Sequence, residues 1–227
     1  MTAAIRSTFA GHAPPSPARA VGRRGEGSYR RFAKRALDVA IVLVAALPAL
    51  MALLPLLALA SLDGRSPIYV QPRLGRHGRV FRMVKLRTMV PDADRVLEST
   101  LARDPRARAE WDRHQKLKRD PRVTRVGAML RKTSLDELPQ LLNVLRGDMA
   151  IVGPRPMMPG QRALYPGTEY FEMRPGITGF WQTSVRNESS FSERAAFDRS
   201  YFEAISLATD LRVMLRTVRV VLRGTGC

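Results

Sequence analysis

Two adjacent carboxylates, Asp136 and Glu137, are the residues of this sequence with the clearest potential for chemistry. Their segment predicts a helix, because Ser134 is a favourable N-cap, leucines recur at helical spacing as far as Leu145, and Gly147 marks an end. A helix N-terminus presents unpaired N–H groups and the positive end of the dipole, which lower the pKa of a carboxyl group and attract phosphate. An ionised Asp136 could therefore act as a nucleophile toward phosphorus.

Basic residues cluster in sequence around this carboxylate pair. Arg155 stands between two prolines, which fix the local backbone, just after a short apolar strand predicted at 149–152. Lys85 could point toward the same place from another predicted strand. The remaining basic residues near the pair are Arg122, Arg125, Arg131 and Lys132. A single such residue is ordinarily a solvated surface charge, and an isolated Ser-x-x-Glu pattern is ordinarily a helix cap, but the cluster favours a polyanionic substrate.

A long apolar segment precedes these residues. No charged residue occurs over roughly 24 positions, 39–62, which as a continuous helix would measure about 36 Å and could span a bilayer. Pro48 and Pro55 each predict a kink, because each removes a backbone hydrogen bond. Both flanks are strongly basic, so the positive-inside rule gives no preferred orientation. We therefore predict a re-entrant helix hairpin that bends at Pro48 or Pro55, with both ends on the cytoplasmic face, in preference to a single crossing.

The same segment does not fit a secretory signal. It is too long for the apolar region of a signal peptide and lies too far from Met1. Residues 28–34 match a twin-arginine signal only in part, because the Phe comes one residue early. Cys227 is the one cysteine of the sequence, which agrees with a reducing cytoplasm and excludes an intrachain disulfide. His12, His77 and His114 do not have the spacing of metal ligands.

Charge and composition indicate the partners and the domain organisation. A net charge of +18 predicts an anionic partner, and the apolar segment favours anionic membrane lipid over nucleic acid. We predict a disordered basic arm at 1–28, a re-entrant membrane helix at 29–64 and a cytoplasmic catalytic domain at 65–227.

The catalytic domain is predicted to be α+β and mainly helical. Its predicted elements are strands at 68–70 and 80–86 around a turn at 71–78, a polar helix at 94–118 interrupted at Pro105, and an extended piece at 177–182 after a turn at 174–176.

A last helix carries an apolar stripe and a basic face. The stripe consists of Leu211, Met214, Leu215, Val218, Val221 and Leu222, and the basic face of Arg212, Arg216, Arg219 and Arg223. Such an amphipathic helix could lie at the membrane interface on anionic lipid, or could dock on the core with a solvated arginine face.

Several sequence blocks, taken in order, resemble the bacterial sugar transferases, which are monotopic phosphoglycosyl transferases. The blocks are KRALD at 34–38, QPRLG at 71–75, KLRTM at 85–89, DPRVTRVG at 120–127, LRKTSLDELPQ at 130–140, NVLRGD at 143–148, VGPRP at 152–156 and RPGITG at 174–179. The resemblance covers about residues 30–227. It implies transfer of a hexose 1-phosphate from a UDP-sugar to undecaprenyl phosphate, with release of UMP, at the cytoplasmic face of the bacterial inner membrane. That reaction is the first membrane step of exopolysaccharide or other surface glycan synthesis.

The resemblance also implies residue roles. Asp136 would be the nucleophile that takes the phosphosugar, Glu137 would assist it, and Mg²⁺ bound near Asp136 would neutralise the diphosphate. Lys85, Arg131 and Arg155 match basic positions expected to hold phosphate.

The sequence departs from the family pattern at two places. The small residue and proline usual at the bend would fall near Met51, between the two prolines of this chain, and Ile205 stands where the family commonly has Trp. The resemblance leaves the sugar open among glucose, galactose and an N-acetylated hexose, and it does not set the oligomeric state. The alternative from another class is a non-enzymatic, membrane-tethered basic protein that binds nucleic acid or anionic lipid.

Overall fold

The computed structural model describes residues 28–62, 65–184 and 190–222, and within these ranges the chain is mostly helical with two small sheets. This agrees with the predicted fold class. The predicted basic arm, except its last residue, and Cys227 lie outside the described residues. After a π-helical turn at Tyr29–Ala33, the helices are α1 (Lys34–Ala60), α2 (Ala93–Arg103), α3 (Pro105–His114), α4 (Arg125–Thr133), α5 (Gln140–Arg146), α6 (Phe180–Thr183), α7 (Arg194–Ala204) and α8 (Leu207–Leu222). The strands are β1 (Ile68–Leu74), β2 (Val80–Leu86), β3 (Ala150–Val152) and β4 (Gly176–Thr178).

The first sheet is an antiparallel hairpin of β1 and β2, in register from Ile68 opposite Leu86 to Leu74 opposite Val80. Both predicted strands are confirmed, but β1 continues to Leu74, so the turn begins later than predicted. Alternate β2 side chains, Phe81 and Met83, enter the core as the period of a strand requires.

The second sheet joins β3 and β4 in parallel, with Ala150 opposite Gly176. The short strand predicted at 149–152 is confirmed at Ala150–Val152. A Cβ atom at position 176 would lie 2.1 Å from the backbone nitrogen of Gly153, so the close approach of these two backbones requires glycine. The predicted extended piece at 177–182 is wrong beyond Thr178, because the chain turns there into the short helix α6.

The predicted polar helix at 94–118 is confirmed as two helices, α2 and α3, but it ends at His114, because Gln115 adopts the left-handed conformation. The break falls at Asp104, whose side chain accepts hydrogen bonds from the N–H groups of Arg106 and Ala107. Pro105 follows as the first residue of α3, where its missing N–H costs little.

The first turns of α1 are docked in the core of the domain. The Asp38 carboxylate accepts a hydrogen bond from the N–H of Ile151 at 3.0 Å, and Val42 packs beside Phe81 and Met83. Most of α1 beyond Val42 does not pack against the domain. Its exposed large apolar side chains are Leu43, Val44, Leu47, Leu50, Met51 and Leu54. The helix Tyr29–Ala60 is long and apolar enough to cross a membrane by length and composition. It runs through Pro48 and Pro55 as one helix, and the re-entrant hairpin stays a prediction.

One buried carboxylate joins three helical elements. Asp210 accepts hydrogen bonds from the Tyr29 hydroxyl at 2.7 Å, the Lys34 ammonium at 2.6 Å and the Tyr201 hydroxyl at 2.7 Å. These residues belong to α8, to the start of the long helix and to α7. The network therefore fixes the base of the apolar helix to the carboxyl-terminal part of the domain.

The last helix, α8, docks by one face and exposes another. Val213 is buried and Met214 packs against the core, whereas Leu211, Leu215 and Val218 are exposed. Arg212, Arg216 and Arg219 are exposed as well. The predicted amphipathic helix is confirmed, and docking on the core leaves part of its apolar stripe uncovered.

We expect Asp210→Ala to lower the stability of the protein by about 3–5 kcal/mol, because it leaves the buried Lys34 ammonium without its partner. Thermal unfolding in detergent should show a midpoint lower by about 10 °C. Asp112→Ala is the matched control, since Asp112 is exposed and lies 4.0 Å from Arg108, and it should change stability by less than about 1 kcal/mol. Equal midpoints for the two variants would contradict the anchoring role of Asp210.

Candidate active site

The carboxylate pair lies in a 3-10 turn, Leu135–Glu137, between α4 and α5. The prediction that Ser134 caps a helix N-terminus is wrong. Ser134 ends α4 in the left-handed conformation, with φ of 58°, and makes no side-chain capping bond. This conformation reverses the chain, so α5 begins only at Gln140, after Pro139. The predicted end of the helix is confirmed, because Gly147 caps α5 with φ of 88°.

Asp136 is almost fully buried, with 7% of its surface exposed. Burial raises the pKa of its carboxyl group, opposed first by the charge of Lys85 and more weakly by Arg131 and Arg155. The predicted lowering of this pKa by a helix N-terminus is therefore wrong, since α5 starts four positions later. An ionised Asp136 in this place is shielded little by water and depends on nearby cations.

Glu137 is held by two of the predicted phosphate-binding residues. Its Oε1 atom lies 3.1 Å from the Lys85 ammonium and 3.9 Å from a guanidinium nitrogen of Arg155. Lys85 comes from β2 and is largely buried, which lowers its pKa despite the neighbouring carboxylates. Strand β2, the 3-10 turn and the segment after β3 thus bring Lys85, Glu137 and Arg155 together.

Arg131 reaches the site from α4. Its Nε atom donates a hydrogen bond to the Thr88 hydroxyl at 2.9 Å, and burial lowers its pKa while the nearby Asp136 raises it. The other basic residues of the sequence cluster are not brought to the carboxylates. Arg122 makes a two-bond contact with Asp120, and Arg125 and Lys132 are exposed.

Sequence reasoning missed two arginines that extend the positive charge. Arg73 on β1 has a pKa lowered to about 10, first by burial and then by the charge of Arg155. Arg194 on α7 has a pKa lowered to about 9 by the same two causes in the same order. Asp198, the nearest acid to affect Arg194, is itself so buried that its pKa is raised to about 7. Arg73 belongs to a block that carried the family resemblance, whereas no local pattern marks Arg194.

Polar donors at this site lack acceptors among the described residues. They are the Nε atoms of Arg73 and Arg194 and the amide nitrogen of Gln140. Arg73, Lys85, Glu137, Gln140 and Arg155 line one pocket of about 250 Å³. Buried donors ordinarily have partners, so a surplus of donors and positive charge suits a bound anion such as a phosphate or diphosphate.

Trp181 orders the cations beside this pocket. The guanidinium of Arg194 lies 4.2 Å and that of Arg155 5.7 Å from the ring centroid, and the Lys116 ammonium lies at 5.4 Å. Contacts of this kind place a cation over the electron-rich face of an indole ring. Trp181 therefore contacts both Arg155 and Arg194 and orients their guanidinium groups.

The carboxylates are compatible with a magnesium ion that also binds substrate phosphate. No group of three or more His, Cys, Asp or Glu residues that could hold a metal occurs in the parts of the chain at 28–62, 65–184 and 190–222. Mg²⁺ is ordinarily bound by one or two carboxylates, several waters and substrate phosphate oxygens. Asp136, with Glu137 beside it, is compatible with that donor set.

The chain belongs to the bacterial sugar transferase family, whose profile matches residues 29–224. It is 48% identical over 201 residues to a UDP-galactose-lipid carrier transferase of Erwinia amylovora. This alignment covers 86% of this chain and 42% of that protein. It is 44% identical over 198 residues to an undecaprenyl-phosphate galactose phosphotransferase of Salmonella typhimurium, with the same two coverages of 86% and 42%. It is also 44% identical over 198 residues to the exopolysaccharide production protein ExoY of Rhizobium meliloti, covering 86% of this chain and 88% of that protein.

The chain thus spans less than half the length of the first two relatives and most of the length of the third. The residues that match the family profile, 29–224, include the carboxylate pair, the arginines around it and the long apolar helix.

Proposed function

We propose that the protein transfers a hexose 1-phosphate from a UDP-sugar to undecaprenyl phosphate and releases UMP, in the first membrane step of exopolysaccharide or other surface glycan synthesis. The observation that carries this proposal is a buried carboxylate, Asp136, beside a pocket in which cations outnumber acids. Two relatives, a UDP-galactose-lipid carrier transferase and an undecaprenyl-phosphate galactose phosphotransferase, support the donor and the acceptor by the reactions they are named for.

The proposed reaction has two displacements at one phosphorus atom. A carboxylate oxygen of Asp136 attacks the phosphorus attached to the sugar, and the bond from that phosphorus to the bridging oxygen breaks, so that UMP leaves with the electron pair. A phosphate oxygen of undecaprenyl phosphate then attacks the same phosphorus and displaces Asp136. The carboxylate is regenerated, and the product is the lipid diphosphate sugar.

The basic residues stabilise the negative charge of the substrate in this proposal. Lys85, Arg131 and Arg155 bind phosphate oxygens, and Arg73 in the pocket wall and Arg194 beside Trp181 add further positive charge. Glu137 assists by orienting Lys85, to which it is already paired at 3.1 Å.

Mg²⁺ is the proposed cofactor, with Asp136 as its protein ligand. The ion would supply charge neutralisation for the diphosphate, which otherwise repels the attacking carboxylate.

The re-entrant hairpin is supported by contacts at both ends of the long helix. Near its start Asp38 bonds to Ile151, and at its end the carbonyl of Ala60 accepts a hydrogen bond of 2.7 Å from Arg87, which directly follows β2. A helix that crossed the bilayer would place these two ends on opposite sides of about 30 Å of hydrocarbon. We propose that both ends lie at the cytoplasmic face of the inner membrane, with the exposed apolar stripe of α8 resting on anionic lipid.

A labelling experiment tests this topology. In a Cys227→Ser background, Arg24→Cys and Arg65→Cys should both react with a membrane-impermeant thiol reagent only from the cytoplasmic side, because the hairpin returns its second flank to that side. Met51→Cys is the control, which should react from neither side if the middle of the segment is in hydrocarbon. Reaction of Arg65→Cys from the periplasm would show that the segment crosses.

Removal of divalent cations should abolish turnover, because the cation offsets the repulsion between the substrate diphosphate and the attacking carboxylate of Asp136. Release of UMP from a UDP-sugar should fall to background with excess chelator and return when Mg²⁺ is added in excess. The control is chelator saturated with Mg²⁺ before addition. Full turnover in free chelator would remove the metal from the mechanism.

Asp136→Asn should abolish transfer while it changes stability by about 1 kcal/mol or less, because the volume is kept and a buried charge is removed. Without acceptor, the unsubstituted enzyme should release UMP and carry a phosphosugar adduct on the peptide that contains Asp136, as mass spectrometry can detect. The variant should carry none, and Asp112→Asn, at an exposed position of α3, should behave as the unsubstituted enzyme.

Kinetics give an independent check of the same step. Double displacement predicts ping-pong behaviour, with UMP released before the lipid acceptor binds. Near-normal turnover by Asp136→Asn would assign the nucleophile to another group. Absence of UMP release from every UDP-sugar tried, among glucose, galactose and N-acetylated hexose donors, would instead favour a non-enzymatic binding protein.

A further inference from the structure

A second cleft, of about 470 Å³, lies at the base of the long helix. Its walls are the first turns of that helix, the turn after β1 and the segment before β4. It is lined by five cationic side chains, Arg30, Lys34, Arg35, Arg76 and Arg174, and by two acidic ones, Asp38 and Glu172. None of the residues that line it also lines the pocket beside Asp136. This cleft is therefore a separate basic site.

Internal contacts neutralise only part of its charge. Lys34 is paired with Asp210, and the Asp38 carboxylate accepts the N–H of Ile151. In the described part of the chain, none of the four arginines has a carboxylate within the 4.0 Å of an ion pair. Surplus positive charge therefore remains in the cleft.

The arginines differ in how freely they can take a ligand. Arg35 donates to the carbonyls of Val144 and Leu145, and Arg174 donates to the carbonyl of Gly147 at 2.9 Å. Arg76 is exposed, and the Arg30 guanidinium lies 3.7 Å from the ring centroid of Phe202, which orients it. Arg30 and Arg76 are therefore the residues best placed to bind an incoming anion.

Repulsion among the arginines agrees with a surplus of positive charge in the cleft. The pKa of Arg174 is lowered first by burial and then by the charges of Arg35 and Arg76. A bound anion would relieve that repulsion, since it would add negative charge among the guanidinium groups.

The position of the cleft indicates the source of the anion. One wall leads along α1 from Asp38 to the exposed side chains of Leu43 and Val44. The other wall includes Ile205, directly before α8, whose Leu207 and Leu211 are exposed. Exposed apolar side chains next to basic residues are typical of surfaces at the boundary between lipid headgroups and acyl chains.

We propose that this cleft binds the phosphate of an anionic phospholipid headgroup, with Arg30 and Arg76 as its main ligands. The lipid is a bound partner of the protein and not a reactant. Its acyl chains lie along the exposed apolar side chains of α1 and α8. The same phosphate chemistry is offered by free phosphate and by undecaprenyl phosphate, so the test separates these sources.

The experiment measures the thermal midpoint of the purified full-length protein in a neutral detergent while lipid is titrated. Short-chain phosphatidylglycerol should raise the midpoint in a saturable manner, and phosphatidylcholine at equal concentration should not. The double variant Arg30→Gln/Arg76→Gln should require about tenfold more phosphatidylglycerol for the same rise. Arg76→Gln alone, at an exposed turn, should also require more phosphatidylglycerol, but by a smaller factor. This single variant keeps the test valid if the double variant folds poorly.

The matched control is Arg103→Gln/Arg106→Gln, which removes the same charge from exposed positions of α2 and α3. This control should show the same rise of the thermal midpoint with phosphatidylglycerol as the unsubstituted protein. A weaker response equal to that of the cleft variant would mean that the lipid responds to net charge and not to the cleft. A rise with inorganic phosphate equal to that with phosphatidylglycerol would make the cleft a soluble-anion site. A double variant that loses its response only to undecaprenyl phosphate would make it the acceptor site. Each of these three results would overturn the proposal.

Discussion

Insertion of the first turns of the long helix into the catalytic domain is the constraint on which the rest of the structure depends. Asp38 supplies an acceptor to β3, Val42 fills the space beside Phe81 and Met83, and Asp210 collects three donors from elements far apart in sequence. Burying a carboxylate in this way costs free energy, which the Lys34 ammonium and two hydroxyl groups offset at Asp210 and the N–H of Ile151 offsets in part at Asp38. The apolar remainder of the helix consequently leaves the domain from one defined point, so the apolar segment and the site with Asp136 have a fixed relation to one another.

The candidate active site has an excess of positive charge. Its buried carboxylates are accompanied by more cations than they can neutralise, and Arg73 and Arg194 are each disfavoured by the charge of Arg155. Trp181 compensates in part, since its ring lies under Arg155 and Arg194. Such an arrangement is unfavourable in the protein alone and becomes favourable when a polyanion binds, as expected of an anion-binding site.

Local patterns predicted the elements, and long-range packing decided the details that the sequence did not reveal. The strands at 68–70 and 80–86, the break at Pro105 and the cap at Gly147 depend on neighbouring residues and were predicted. Ser134 suits both a helix N-cap and a left-handed turn, and the choice depends on the packing of the following 3-10 turn against β2, which no short pattern encodes. Arg194 contacts Trp181 only through the packing of α7 against α6, so its place beside the site could not be predicted from a local pattern. The roles assigned to Asp136, Glu137, Lys85, Arg131 and Arg155 stay predictions, although the fold brings all five together.

Arg35 belongs to the basic flank of the apolar helix and also contacts the helix that follows the carboxylate pair. It counts as one of the positive charges that would be used to explain orientation in the bilayer, yet its guanidinium also caps the last carbonyls of α5, the helix that follows the carboxylate pair. Charge-reversal mapping of this flank would therefore confound two effects. An inactive mutant at position 35 could have an intact topology and a frayed α5, whereas its neighbour Arg31, which is exposed, would report on the membrane alone.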